Sequence, residues 1–155
     1  MTRRHVVWCG ALWTARIATA AGLAIDAYVH LDLAHLYAEG GGTINEAVLF
    51  RAETVVALLA ALAVIAVGRR VCYLGALAVA ASALAVMLVS RYIDLGPIGP
   101  FPDFYDPAWY PEKLLAAYAE GAAVAAALAG VIITRPAGKS QPRAALRRRL
   151  TGNRN

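Results

Sequence analysis

Four long apolar blocks, separated by short polar or proline-rich links, organise the chain. Within each block alanine, leucine and valine run on for about 20 residues, the helical length that crosses a bilayer core about 30 Å thick. The blocks predict helices over 13–36, over 47–68 ("AVLFRAETVVALLAALAVIAVG"), over 72–90 ("CYLGALAVAASALAVMLVS") and over 114–134 ("LLAAYAEGAAVAAALAGVIIT"). Helices are required because hydrocarbon offers a free backbone group no partner. No segment alternates in the way a transmembrane strand would. The expected fold is an all-α, integral membrane four-helix bundle: one domain over 1–134, followed by a basic tail over 135–155.

Composition reinforces the pattern. The chain has 155 residues and is 60% hydrophobic, with mean hydropathy +0.56, against about 45–50% apolar for a soluble domain. Two cysteines, Cys9 and Cys72, are too few for a disulfide framework.

Charge adds an orientation. Arg3 and Arg4 precede the first span, Arg69 and Arg70 fill the tight second link, and "RPAGKSQPRAALRRRLTGNRN" closes the chain. The positive-inside rule then places both termini in the cytoplasm of a multi-pass protein of the plasma (cell) membrane. Of the 15 basic residues, Arg51, Arg91 and Lys113 fall outside. The alternative of a cleaved signal peptide fits "MTRRH" and the small residues of "ATAAGLA". Arg16 interrupts its apolar region, however, and cleavage would leave three spans and part His30 from its helix.

On this topology all ten acids lie on the outer side or in the outer half of a span: Asp26, Asp32, Glu39, Glu46, Glu53, Asp94, Asp103, Asp106, Glu112 and Glu120. The positive-inside rule does not require this, since acids contribute little to orientation. A cation-attracting outer face is one reading. Ordinary loop polarity is the other, and it is preferred for Asp94, Asp103 and Asp106.

Acids inside spans differ, because an ionisable group in hydrocarbon costs about 2.5–3.5 kcal/mol on insertion scales and turns toward the bundle. On a helical wheel Asp26, His30, Leu33 and Tyr37 fall within about 60° of one another. Tyr28, Asp32, His35 and Glu39 form a second stripe opposite. The four-residue spacing lets the Asp26 carboxylate orient the His30 imidazole. Glu53, with Glu46 and Phe50 near the same face, and Glu120, with Tyr118 close by, lie at a comparable depth. The expected polar cluster is Asp26, His30, Tyr37, Glu53 and Glu120, with Arg91 above it as counter-charge.

Three chemistries fit that set. A divalent metal on His30, Asp26, Glu53 and Glu120 suits a hard or borderline ion, although the Glu-x-x-His pair of di-iron bundles is missing. Proton-coupled binding or transport would use His30. A purely structural network would pair Arg91 with Glu53 or Glu120, with His30 hydrogen-bonded to Asp26 or a tyrosine. A Ser90–His30–Asp26 hydrolase triad lacks a nucleophile elbow and an oxyanion loop. Haem ligation is disfavoured because His30 and His35 face different ways and His5 lies on the other membrane side.

The link "DLGPIGPFPDFYDPAWYPEK" is stiffened by five prolines and rich in aromatics. It is expected to form either a lid over the cluster or a rigid interfacial spacer. "AEGGGTIN" is a turn, not a phosphate loop. The basic tail is expected to bind anionic lipid headgroups, and no nucleic-acid partner is needed to explain it. Ala76, Ala80, Gly121 and Ala125 permit close helix approach, and homo- or hetero-oligomers are compatible with the pattern.

His30-Leu31-Asp32-Leu33, then Tyr37, a glycine-containing turn, Leu49-Phe50 opening the second span, and Glu120 after a glycine- and proline-containing loop together resemble small four-helix integral membrane proteins of actinobacteria. The resemblance spans His30 to Glu120 and implies a cluster of His30, Tyr37 and Glu120. It implies no activity. The functional expectation is a small binding, sensing or accessory membrane protein with an outer-leaflet polar pocket for a cation or small molecule. The alternative is a membrane-embedded enzyme or a proton- or metal-coupled transporter.

Overall fold

The structure, a computed structural model, describes residues 3–37 and 44–136, with side chains from residue 8 onward. Glu39, the glycine turn and the tail from residue 137 lie outside the described residues. Among the described residues the chain is all-α: α1 (Arg3–Leu36), α2 (Glu46–Ala66), α3 (Arg70–Tyr92) and α4 (Pro111–Ile133). Each is long and apolar enough to cross a membrane.

The helices start where local chemistry lets them. α1 begins ten residues before the predicted Trp13, since nothing between Arg3 and Trp13 breaks a helix. The Asn45 side chain caps α2 by accepting the Val48 N–H at 3.0 Å. Pro111 takes the first position of α4, where its missing N–H costs nothing. α2 stops at Gly68, whose φ of 58° suits a residue without Cβ.

α1 packs against α2 and α4, and α3 closes the ring against both; α2 and α4 do not touch. The ring has a terminal end, carrying the tight α2–α3 link, and a loop end, carrying the α1–α2 turn and the long α3–α4 link. The core is built from small side chains, Ala57, Ala76, Ala80, Ala123 and Ala127, around Leu23, Val64 and Tyr73. The larger aliphatics, such as Leu59, Leu62, Val71 and Ile132, face outward on all sides. That inside-out distribution suits an apolar surrounding.

Two contacts set the packing. A Cβ at Gly22 would lie 2.8 Å from the Ala119 carbonyl oxygen and 2.9 Å from the Ala123 Cβ, so glycine is what allows α1 to reach α4. A Cβ at Gly130 would collide with the Tyr73 ring, which is wholly buried there. The α4 contact face therefore runs through Ala119, Ala123, Ala127 and Gly130, whereas the expected Gly121 and Ala125 lie off it; Ala76 and Ala80 are in the core as expected.

At the terminal end Arg16 leaves α1 to donate to the carbonyls of Val67 (3.0 Å) and Ile65 (3.5 Å), partners for the end of α2. Gly68 leaves room for this, as a Cβ there would strike the guanidinium.

Candidate functional site

The Gly22 contact determines what happens one turn higher. Asp26 follows Gly22 by four residues on α1 and is completely buried. Glu120 follows Ala119 on α4 and is 1% exposed. Because the two helices are close and antiparallel, these carboxyl groups face each other. His30, one turn beyond Asp26, folds back on it. Its Nδ1–H donates to the Asp26 carbonyl oxygen at 3.0 Å, and the same nitrogen lies 2.9 Å from Asp26 Oδ1. One atom each from Asp26, His30 and Glu120 all lie within 4.8 Å of one another. Among the described residues this is the one such group of potential metal ligands.

α2 completes the site. The edge of Phe50 meets the His30 ring at 5.4 Å between centroids. Thr54 Oγ is engaged with the carbonyls of Phe50 (2.9 Å) and Ala27 (3.2 Å), which ties α2 to α1 beside Asp26. Glu53 is half-buried and within electrostatic reach of Asp26, His30 and Glu120, but outside the three-residue group.

The electrostatics are unusual. Oδ2 of Asp26, both oxygens of Glu120 and Oε1 of Glu53 are buried and accept no well-formed hydrogen bond, while Asp26 Oδ1 has the His30 Nδ1 at 2.9 Å. Each unsatisfied buried acceptor costs about 1–3 kcal/mol. Two acceptor-only carboxylates in contact repel unless a proton or a cation lies between them.

Toward the loop end an apolar layer closes over the site: Val29, Leu33 and Ala116, with Phe50, Tyr37, Met87 and Tyr110 packed on it. Tyr37 meets Phe50 edge-on at 5.5 Å, so it belongs to this cover. Burial pushes the Tyr110 hydroxyl above its ordinary pKa, helped by its neighbours Tyr37 and Asp106.

The α3–α4 link is fastened down. The Asp106 N–H donates to the Ser90 carbonyl oxygen at 2.9 Å. The buried Lys113 ammonium donates to the Asp106 carbonyl (2.6 Å) and to its Oδ2 (3.1 Å). Burial opposes the charged form of Asp106, but the bonds from Lys113 and from the Ala108 N–H outweigh it and hold the carboxyl below its usual range. Asp94, Asp103 and Asp106 each accept a backbone N–H two residues on. These are turn-forming roles.

Several other residues lie away from the cluster. Arg91 is not the counter-charge: its guanidinium stacks near Tyr92 (5.1 Å) and Trp109 (5.8 Å). Among the described residues the ion pairs are His30–Asp26 and Lys113–Asp106. Tyr118 is 75% exposed and points away from Glu120. Tyr28, Asp32 and His35 all face outward. Ser90 Oγ donates to the Met87 carbonyl within α3 at 2.8 Å, while its own carbonyl accepts the Asp106 N–H from the loop. Sequence reasoning missed Thr54, Lys113 and the Arg16 cap. Their signals were Thr54 one turn past Phe50, an Asp and a Lys flanking the start of α4, and the glycine ending α2.

No family model, no curated protein and no solved structure matches this chain.

Proposed function

We propose that the chain is a four-span protein of the plasma membrane, with both termini cytoplasmic, whose outer-half pocket binds a cation as a sensing or accessory site. One observation carries the reading: the carboxyl groups of Asp26 and Glu120 are fully buried and face each other, and the one donor that reaches them among the described residues is His30 Nδ1, 2.9 Å from Asp26 Oδ1. Sequestering them costs stability, and a bound cation recovers that cost. The orientation rests on the arginine distribution. The bilayer is the immediate partner, and the basic tail would engage anionic headgroups on the inner face.

The second reading, a membrane-embedded enzyme or a proton- or metal-coupled transporter, draws on the same group, since His30 beside a carboxylate is a proton-handling pair. Binding is preferred because the aromatic cover and the Lys113–Asp106 fastening favour a held ligand.

The test is carbodiimide modification of the purified full chain. Glu120 or Asp26 should react, and at least one cation from a panel of Na+, methylammonium, Ca2+, Mn2+ and Zn2+ should slow the reaction. Indifference to every cation contradicts the proposal. Cysteine accessibility should place position 105 outside and position 140 inside; labelling of both from the same side overturns the orientation.

A further inference from the structure

We infer that the pocket is a mononuclear site for a borderline first-row divalent cation, with Asp26, His30 and Glu120 as its protein ligands. The inference rests on the cation-site reading above and names the ion class.

The argument starts from the number of acceptors. A proton between Asp26 and Glu120 satisfies one contact. With His30 Nδ1 beside Asp26 Oδ1, it still leaves one oxygen of Glu120 and Oε1 of Glu53 without a partner. A divalent ion draws on several lone pairs at once, and first-row ions take ligand atoms about 2.0–2.2 Å away. Donor atoms around such an ion are therefore separated by less than about 4.4 Å, or twice that bond length. The three donors here lie within 4.8 Å, so a small inward movement of side chains brings them to ligand distance.

Donor chemistry selects the ion. Two carboxylates alone would suit Ca2+ or Mg2+, which prefer oxygen. The imidazole shifts the preference toward Mn2+, Fe2+ or Zn2+. His30 Nδ1 lies 2.9 Å from Asp26 Oδ1, so the ring already meets the carboxylate edge-on, and loss of its Nδ1 proton would free a lone pair facing an ion there. The Thr54 hydroxyl beside the site is engaged with the Phe50 and Ala27 carbonyls and does not compete. Glu53, half-buried on α2, is placed to complete the charge or to hold a metal-bound water. The site joins α1 and α4 directly, so a bound ion pins together two helices that are separated in sequence by the whole of α2 and α3.

The experiment uses the full chain in detergent, stripped with chelator and then titrated with the metal alone. Zn2+ and Mn2+ should bind at one per chain, with Ca2+ at least tenfold weaker. Co2+ should give ligand-field absorption in the wild-type chain, a readout that needs no variant. Glu120→Gln and His30→Ala should each weaken Zn2+ binding tenfold or more, whereas His35→Ala, on the outward stripe, should leave it unchanged. Absence of stoichiometric uptake by wild type overturns the inference, as does Zn2+ binding that His30→Ala leaves intact. If carbodiimide protection then persists with Na+, Ca2+ or methylammonium, the cation pocket survives and only its metal identity fails. If no cation protects, both fall.

Discussion

The two halves of the bundle treat polar groups in opposite ways. In the terminal half most are consumed locally, although the Tyr73 hydroxyl and Nε of Arg16 and of Arg70 have no well-formed partner. Arg16 caps the carbonyls ending α2, Thr19 donates to Ala15 at 2.7 Å, and Thr134 donates to Gly130 at 2.7 Å. The rest of that half is alanine packed around Tyr73 and Val64. In the loop half Asp26 and Glu120 sit just as deep and face each other, with His30 Nδ1 beside Asp26 Oδ1 as the donor that reaches them among the described residues. The same helices carry both arrangements, so helix packing does not force the second. The comparison teaches that the terminal half is where the fold is held together. On the proposed reading, the loop half gives up stability for a cation.

The largest expected effect lies in the terminal half. Tyr73→Ala removes a wholly buried ring against Gly130 and should destabilise the chain by about 3–5 kcal/mol, read as a fall in melting temperature in micelles. An unchanged melting temperature would break the comparison at its stronger side. Gly22→Val comes next. It places branched carbon against the Ala119 backbone and should cost about 1–3 kcal/mol. It should also weaken cation binding, because it moves Asp26 away from Glu120. Full-strength binding in that variant would mean that the halves are uncoupled.

Glu120→Met sharpens the contrast. In cation-free buffer it should leave stability unchanged or raise it by up to about 1 kcal/mol, since it removes two buried acceptors without partners. Cation protection from carbodiimide, now read on Asp26, should disappear. A loss of several kcal/mol would show Glu120 to be a structural element after all.

The smallest effect concerns the loop. Asp106 has a carboxyl held below its ordinary pKa in the folded chain. Its fastening to Lys113 therefore stabilises the loop fully above pH 3.8, the ordinary value, and is lost as pH falls below it through the folded value. Trp109 lies near Lys113, so its fluorescence should change across that acid range. Lys113→Met should shift the change toward the ordinary carboxylate pH. A profile identical to wild type would remove Lys113 from the latch.

Much of the frame was legible in the sequence, for a simple reason. Span length and apolarity are one-dimensional properties, so the four helices could be read to within a few residues except at the start of α1. The Asp26–His30 contact was also legible, because four-residue spacing within one helix fixes it. What joins different helices was less so. Glu120 meets Asp26 because Gly22 sets how closely α1 and α4 approach, a rotation and a distance that depth alone does not encode. Glu53, at similar depth, stays at the margin because α2 and α4 do not touch. Arg91 was assigned by charge, yet Tyr92 and Trp109 offered its flat cation a ring surface. Lys113 and Asp106 read as stray loop charges; only the folded link places them together.

The central claim is that a cation relieves the buried carboxylates between α1 and α4. It is tested most directly by the melting temperature of the chelator-stripped full chain as Zn2+ is added, for wild type and Glu120→Gln side by side. A ligand that binds only the folded state stabilises it by about 2.7 kcal/mol at a hundred times its Kd. Wild type should therefore rise by several degrees while Glu120→Gln stays flat. An equal rise in both, or no rise in either, would contradict the account.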